Sequence, residues 1–255
     1  MKPLTEEQKQ ALKQKFQDKL DELDRTQKTY ATMSALHTLA QYWVENEIII
    51  ERAAVKEVGL NGPQWNPDPN DEDSLSEFFA ERGLARDLHD NTLIPMHRYS
   101  SIVMLYSTVE RELLRLVENL ELEHGPQKLK WKDIRANSKV EQISRFCEVF
   151  FKVRLADCSN YEAVTELQKI RDCIVHCLGH VSLSSDKDFL VTLHKKRRGL
   201  YVSSLTEIDI EDECIKQFLQ EIWSFFVSVF KILNWEIATH WHGDKLGKIF
   251  ERINK

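Results

Sequence analysis

The sequence predicts an all-α fold: a helical bundle with a long N-terminal helical extension and one small β-hairpin before the last long helix. The chain of 255 residues contains only 8 Gly and 6 Pro, so few residues interrupt helices. Three of the prolines fall in one short segment, 63–69. Between such breaks, apolar residues recur every three or four positions, which is the spacing of a buried helix face.

Residues 1–58 are predicted to form the N-terminal extension. Thr5 and Gln8 match a capping box, and neither Gly nor Pro follows until after Val58, which favours one long helix or a broken pair. The second half is richer in apolar and aromatic residues, so we expect it to pack on the main body while the first half projects. The projecting half carries an apolar row suited to a protein partner: Leu12, Phe16, Leu20 and Leu23.

Residues 59–92 are predicted to form a linker, because Asn, Gly, Pro and Asp dominate it as far as Asp73. A short acidic helix over about 74–82 ends this segment. Residues 93–236 are predicted to form the helical bundle, and residues 237–255 a short polar helical tail.

The bundle begins with a long helix that follows Pro95 and ends near Gly125, where its apolar stripe stops. Apolar spacing predicts further helices over about 139–154, 161–178 and 212–235. Two short apolar runs, 189–193 and 200–202, flank the basic residues Lys195, Lys196, Arg197 and Arg198, and this pattern predicts a hairpin with a basic tip.

Composition narrows the function classes. The chain has 35 Lys and Arg against 41 Asp and Glu, a net charge of −6, which excludes a protein that coats nucleic acid through bulk positive charge. No apolar run is long enough to span a membrane, and the polar N-terminus lacks the apolar core of a signal peptide. Five cysteines spread through apolar sequence are typical of reduced thiols. We therefore expect a cytoplasmic protein without membrane contact.

The candidate site lies in the segment IRDCIVHCLGHV, residues 170–181. At about 100° per residue, Asp172 and His176 point away from the apolar stripe and share one helix face. A carboxylate one turn before an imidazole can hydrogen-bond it and raise its pKa toward the working range of an acid or base. Arg171 adds a permanent cation suited to bidentate phosphate binding.

These groups are the ones that metal-free RNA cleavage needs: a base for the 2′-hydroxyl, an acid for the leaving oxygen, and positive charge at phosphorus. One His cannot easily be acid and base at once. A two-fold dimer that brings two such helices together supplies a second Arg171 and a second His176, because an isologous interface places residues near their own copies.

The segment from Arg171 to His176 has the RxxxxH form, with a polar residue after the Arg, and resembles the HEPN (higher eukaryotes and prokaryotes nucleotide-binding) superfamily over roughly residues 93–236. Glu110 and Arg111 are similar to the acidic region on an early HEPN helix. The resemblance implies a homodimeric, metal-independent endoribonuclease, in many members a toxin or antiviral effector. It also implies that Arg171 and His176 line a cleft at the dimer axis, with Asp172 and Glu110 in support.

We expect RNA contacts from Arg111 and from the basic residues 195–198, and no cofactor. Cys173 with Cys177, and His176 with His180, have helical spacing for zinc, but neither pair has a matching second pair, so the sequence favours no metal site. His240 and His242 are a weaker metal candidate. Two alternatives stay open: a catalytically silent dimer that binds a partner through residues 5–23, and a nucleotide-binding sensor in which Arg171 holds a phosphate.

Overall fold

The computed structural model describes residues 6–57, 71–203, 206–238, 241 and 245–252. The described chain is mostly helical with one small two-stranded antiparallel sheet, which agrees with the predicted class. The α-helices, in chain order, are α1 (Glu6–Glu57), α2 (Glu72–Leu88), α3 (Ile94–His124), α4 (Lys139–Phe146), α5 (Tyr161–Cys177), α6 (Lys187–Leu193), α7 (Asp212–Ile232) and α8 (Lys245–Phe250). The strands are β1 (Leu200–Ser203) and β2 (Glu207–Ile210).

The chain divides into two compact units. The first comprises Met1–His37, Thr108–Tyr161 and Ile222–Lys245. The second comprises Thr38–Ser107, Glu162–Glu221 and Leu246–Lys255. The domain boundaries predicted after residues 58, 92 and 236 stay a prediction.

The N-terminal extension forms one helix, α1, rather than a broken pair. Its second half has a buried apolar face, as predicted, made of Met33, Leu36, Leu39, Ala40, Trp43 and Val44. In its first half the described side chains between residues 10 and 21 are exposed, while Thr5 and the side chains of the predicted apolar row lie outside the described part. The predicted linker residues 59–70 lie outside it as well.

The acidic helix is longer than predicted. It spans Glu72–Leu88 and continues through one π-helical turn, His89–Leu93, into α3. Two residues that often break helices do not end this one. Gly83 lies inside α2, and Pro95 lies two residues after the π-helical turn, in the first turn of α3.

Helix α4 is shorter than the predicted 139–154. Its first turn is capped by the Ser138 hydroxyl, which accepts a hydrogen bond from Glu141 N at 3.1 Å. After Phe146 the chain widens into a π-helical turn, Cys147–Phe151, and Lys152 has a φ of 61°. A residue in this left-handed conformation ends a helix.

The predicted basic hairpin tip is wrong. Residues 187–193 form helix α6, which buries Leu190 and Leu193 at helical spacing, and residues 195–198 form the turn that leads to β1. The hairpin itself lies further along the chain, where Leu200 pairs with Ile210 and Val202 with Ile208. The alternation of EIDI, with Ile208 and Ile210 buried, makes the second strand.

The last helices are apolar. Helix α7 spans Asp212–Ile232, close to the predicted 212–235. The tail is not polar as predicted, because α8 buries Leu246, Ile249 and Phe250, and Phe250 meets Trp43 edge to face at 5.9 Å. Among the described residues, no helix is long and apolar enough to cross a membrane.

Candidate functional site

Helix α5 presents Asp172 and His176 on the face turned away from its core stripe, with Arg171 at the border of the stripe. Its buried face contains Ala163, Val164, Leu167, Ile170 and Ile174. Arg171 and Val175, which directly follow Ile170 and Ile174, turn toward the surface, as do Asp172 and His176. Leu178 and Gly179 follow with φ values of 53° and 84°. These two left-handed residues end the helix directly after His176 and Cys177.

Arg171 is a partly exposed cation held on two sides. Its Nη1 donates to Asp172 Oδ1 at 2.7 Å, and the guanidinium lies over the Tyr106 ring at 5.4 Å from the centroid. Its Nε is buried and has no hydrogen-bond partner among the described residues. A planar cation that lies over an aromatic ring and stays partly exposed is suited to an anion.

His176 is exposed, and no hydrogen bond or ion pair joins it to another described residue. The predicted shared face of Asp172 and His176 is present, but the hydrogen bond expected between them is not. Asp172 instead accepts from Arg171, its neighbour in the chain. Since the Arg171 fork reaches the carboxylate from the same turn, the charged pair forms in place of the longer contact to the imidazole.

Hydrogen bonds join the end of α5 to the hairpin of β1 and β2. Ile208 N donates to Gly179 O at 2.9 Å, Val181 N donates to Thr206 O at 2.7 Å, and the Tyr99 hydroxyl donates to Ile208 O. Burial, followed by the nearby carboxylates of Glu207 and Asp209 and by Cys173, raises the pKa of Tyr99 to about 12. The phenol therefore keeps its proton and its donor role at neutral pH.

Gly179 is required at this junction for two reasons. Its positive φ favours glycine, and a Cβ at this position would collide with the Tyr99 hydroxyl. The helix end that carries His176 is thus set by a glycine, a tyrosine and the edge of β2.

Glu110 and Arg111 lie in the first unit and have partners there. Glu110 is 3.5 Å from Lys139 Nζ, and Arg111 Nε donates to Glu112 Oε1 at 2.9 Å. Glu112 is fully buried and also accepts from Arg115 and Thr32. Both residues therefore contribute to ion pairs within their unit, and their roles at an RNA site stay predictions.

The basic run divides into exposed and buried members. Lys195, Lys196 and Arg198 are exposed, as RNA contacts require. Arg197 is buried, with Nε 3.0 Å from Glu166 and Nη1 2.9 Å from Glu221, and its guanidinium stacks 3.8 Å from the centroid of the Phe218 ring. Because its donors are committed to two carboxylates, Arg197 is a structural residue and not part of an RNA surface.

The two pairs considered for zinc, Cys173 with Cys177 and His176 with His180, do not form part of a metal-binding group among the described residues. Burial raises the pKa of Cys173 to about 11, so its thiol stays protonated. In the part of the chain that the structure describes, no three His, Cys, Asp or Glu residues gather in a metal-binding arrangement. His240 and His242 lie outside that part.

Sequence reasoning missed the two tyrosines of the site. Tyr106, under Arg171, belongs to the apolar stripe of α3, and Tyr99 lies two turns earlier on the same helix. The helical spacing does not distinguish these tyrosines from core residues, because the sequence of one helix does not determine which residues of another helix lie against it.

The chain matches no family model, and searches of curated proteins and of solved structures find no similar protein. The geometry of the chain's own side chains is therefore the basis for inferring function.

Proposed function

We propose that the chain is a metal-independent endoribonuclease of HEPN type that acts as a homodimer. The observation that carries this proposal is the presence, at one end of α5, of an arginine held by Asp172 and Tyr106 and of an exposed imidazole that has no partner among the described residues. Arg171 and His176 lie five residues apart in the last two turns of α5, so both side chains reach the surface at the same end of the helix. Such a pair combines a phosphate-binding cation with a group that exchanges protons near neutral pH.

In the proposed reaction, His176 takes the proton of a ribose 2′-hydroxyl. The 2′-oxygen then forms a bond to phosphorus, and the bond from phosphorus to the 5′-oxygen breaks. The leaving 5′-oxygen receives a proton from the imidazolium of His176 of the partner subunit. The products are a 2′,3′-cyclic phosphate and a 5′-hydroxyl, and Arg171 stabilises the charge that develops on the phosphate oxygens.

The surface around His176 supports association of two copies. Val175, Leu178 and Leu183 belong to the same unit as His176 and are exposed to 42%, 79% and 72%. Exposed apolar side chains mark protein interfaces where they lie together, and these three lie within seven residues of His176 in the chain. An isologous contact at this surface brings each His176 near its own copy.

The nature of the product ends tests this chemistry. Purified protein is incubated in EDTA with a labelled RNA and with the same RNA carrying 2′-O-methyl groups throughout. The proposal predicts cleavage of the first only, with cyclic phosphate ends that acid opens to monophosphates. Cleavage of the methylated RNA, or ends with a 5′-phosphate, would contradict 2′-hydroxyl attack.

A catalytically silent dimer that binds nucleotides or a protein partner is the second candidate. It is favoured by the pairing of Asp172 with Arg171, which leaves the imidazole without an orienting carboxylate. Under this alternative, deletion of residues 1–24 abolishes function and His176→Ala preserves it. The ribonuclease proposal predicts the reverse for RNA cleavage.

A further inference from the structure

A cleft of about 570 Å³ lies in the first unit, beside the C-terminal half of α7. The core face of this half is occupied by Ile222, Phe225, Phe226, Val229 and Phe230, all of which are buried. The other face lines the cleft with Trp223, Ser224, Ser228 and Lys231, at helical spacing. These polar side chains belong to the face of the amphipathic helix that is turned away from the core.

Two indole rings contribute to the cleft. Trp223 and Trp241 meet edge to face, with centroids 6.0 Å apart, and both line the cavity. Indoles offer broad faces and edges against which a flat heteroaromatic ring packs well.

The polar part of the lining favours an anion. Lys231 is exposed and forms no ion pair with another described residue, so its charge is available. Ser228 Oγ accepts a hydrogen bond from Ser159 N at 3.0 Å, which fixes the loop that forms one wall. Ser224 adds an exposed hydroxyl one turn before Ser228. An ammonium flanked by hydroxyls is suited to a phosphate group.

We infer that this cleft binds a nucleotide, with its base against the indoles and its phosphate at Lys231. The cavity is within the size range of small-molecule sites. The same chemistry is offered by a free mononucleotide and by one nucleotide of an RNA strand. The inference does not rest on the proposed ribonuclease activity, because none of the lining residues belongs to that site.

Calorimetric titration of the 255-residue chain tests the site, with AMP, adenosine and inorganic phosphate as probes. AMP is expected to bind at least ~10-fold more tightly than adenosine or phosphate, because it engages both parts of the cleft. Lys231→Gln is expected to weaken AMP binding at least ~10-fold. Ser224→Trp, which fills the mouth of the cleft from an exposed position, is expected to abolish it.

Matched controls separate this site from the proposed cleavage site. Lys248 is likewise an exposed lysine in the last turn of a helix, and Lys248→Gln should leave AMP binding unchanged. His176→Ala should also leave it unchanged, whatever its effect on RNA cleavage. Loss of AMP binding in His176→Ala with retention in Lys231→Gln would overturn the assignment.

A 2′-O-methyl pentaadenylate distinguishes the two sources of the nucleotide. Binding much tighter than AMP, lost in Lys231→Gln, indicates that the cleft holds a nucleotide of RNA. Equal affinity for AMP and the oligomer indicates a free mononucleotide. Failure of both probes to bind at millimolar concentration, or binding that is indifferent to Lys231→Gln and Ser224→Trp, would overturn the proposal.

Discussion

Arg171 and Arg197 belong to the same unit, and their surroundings differ in burial and in the number of carboxylates that face the guanidinium. The side chain of Arg197 is 6% exposed and faces two carboxylates, Glu166 and Glu221. The side chain of Arg171 is 28% exposed and faces one carboxylate, Asp172, with an aromatic ring beneath it. Both guanidiniums lie over aromatic rings, so burial and charge balance make the difference.

This difference shows which cation is available to a ligand. Two carboxylates more than neutralise Arg197, and burial excludes a phosphate from reaching it. At Arg171 the single partner is itself exposed to 32%, so solvent weakens the pair and a phosphate can compete with it. The buried arginine stabilises the fold, and the partly exposed one is the candidate for binding.

The largest expected effect is on stability at Arg197. Arg197→Met leaves Glu166 buried without its charge partner, which costs about 3 to 5 kcal/mol of unfolding free energy. Urea unfolding at neutral pH measures this cost. Arg198→Met, at the exposed neighbour, is the control and should change stability by less than about 0.5 kcal/mol.

A second substitution tests whether the unpaired charge of Glu166 causes the loss of stability in Arg197→Met. Glu166→Gln in the Arg197→Met background removes the uncompensated charge and should restore part of the lost stability. Equal costs for Arg197→Met and Arg198→Met would show that Arg197 is no more structural than its neighbour, and the comparison with Arg171 would not hold.

At Arg171 the expected effect is on activity rather than stability. Arg171→Gln should reduce RNA cleavage by about 100-fold or more, because it removes the charge that stabilises the phosphate oxygens. Arg171→Lys keeps the charge but loses the planar fork and the stack on Tyr106, so its loss should be smaller. Single-turnover cleavage rates measure both.

The control for Arg171 is Arg145→Gln. Arg145 is an exposed helical arginine that pairs with Glu141, so its replacement removes a similar charge pair outside the site. Cleavage by Arg145→Gln should match that of the wild type. A similar loss in both variants would mean that general charge, and not the position of Arg171, supports cleavage.

A buried cluster of charged residues in the same unit extends the comparison between buried and exposed charges. Glu47 is 1% exposed and lies 3.1 Å from His97 Nε2, while Arg98 reaches both Glu47 and Asp212. Burial opposes ionisation of Glu47, but hydrogen bonds from His97 and Asp212 and the charges of His97 and Arg98 outweigh it and lower its pKa. Burial and the charge of Glu47 raise the pKa of Asp212, against the charges of Arg98 and Lys216.

Because folding lowers the pKa of Glu47, the free energy of unfolding depends on pH. A carboxyl whose pKa is lowered by folding stabilises the protein above its ordinary pKa, and this stabilisation is lost as the pH falls below it. Glu47→Gln should cost about 1.5 to 3 kcal/mol at neutral pH, and the cost should shrink as the pH falls below 4.5, the ordinary value. Urea unfolding across this range measures it.

Glu45→Gln is the matched control. Glu45 lies two residues earlier on α1, is 56% exposed and pairs with Arg252 at 3.7 Å. Its replacement should change stability little at any pH. A Glu47→Gln cost that stays constant from neutral to acid pH would contradict the assignment of a stabilising charge to Glu47.

The smallest effect concerns the junction after His176. Gly179→Ala places a side chain in the left-handed region, at a cost of about 1 to 2 kcal/mol, and forces the Tyr99 ring aside. In a Tyr99→Phe background the collision with the hydroxyl is absent, so the same replacement should cost less. Thermal unfolding of the four proteins of this cycle measures the coupling.

Gly83→Ala is the control for that cycle. No atom lies within 4 Å of a Cβ at Gly83, and its φ is not positive, so alanine inside α2 should stabilise the protein by about 0.5 to 1 kcal/mol. A Gly179→Ala cost that does not depend on Tyr99 would remove the tyrosine from the account of how the helix end is positioned.

The sequence allowed prediction of the long helices because their apolar stripes run for several turns and end at glycines such as Gly125 and Gly179. The hairpin was misplaced because the run 189–193 is too short for its period to separate a strand from a helix. The alternation in β2 rests on Ile208 and Ile210 alone, which is a weak signal by itself.

The candidate site was predictable only where its residues lie on one helix. The spacing of Asp172 and His176, four residues apart, determines their shared face, and Arg171 precedes Asp172 directly. The stack of Arg171 on Tyr106 and the burial of Arg197 between Glu166 and Glu221 depend on contacts between elements far apart in the chain. Asp172 had two partners within reach along the helix, and the choice of Arg171 over His176 depends on side-chain rotamers that spacing does not determine.

The most direct test of the central claim is cleavage of a mixed cellular RNA pool in EDTA by the wild type, His176→Ala and His124→Ala. His124 is an exposed histidine in the first unit, and its variant should cut RNA as the wild type does. We predict that His176→Ala, still folded and in the same oligomeric state, cuts at least ~100-fold more slowly. Equal cleavage by His176→Ala, or loss of wild-type cleavage in EDTA, would contradict the central claim.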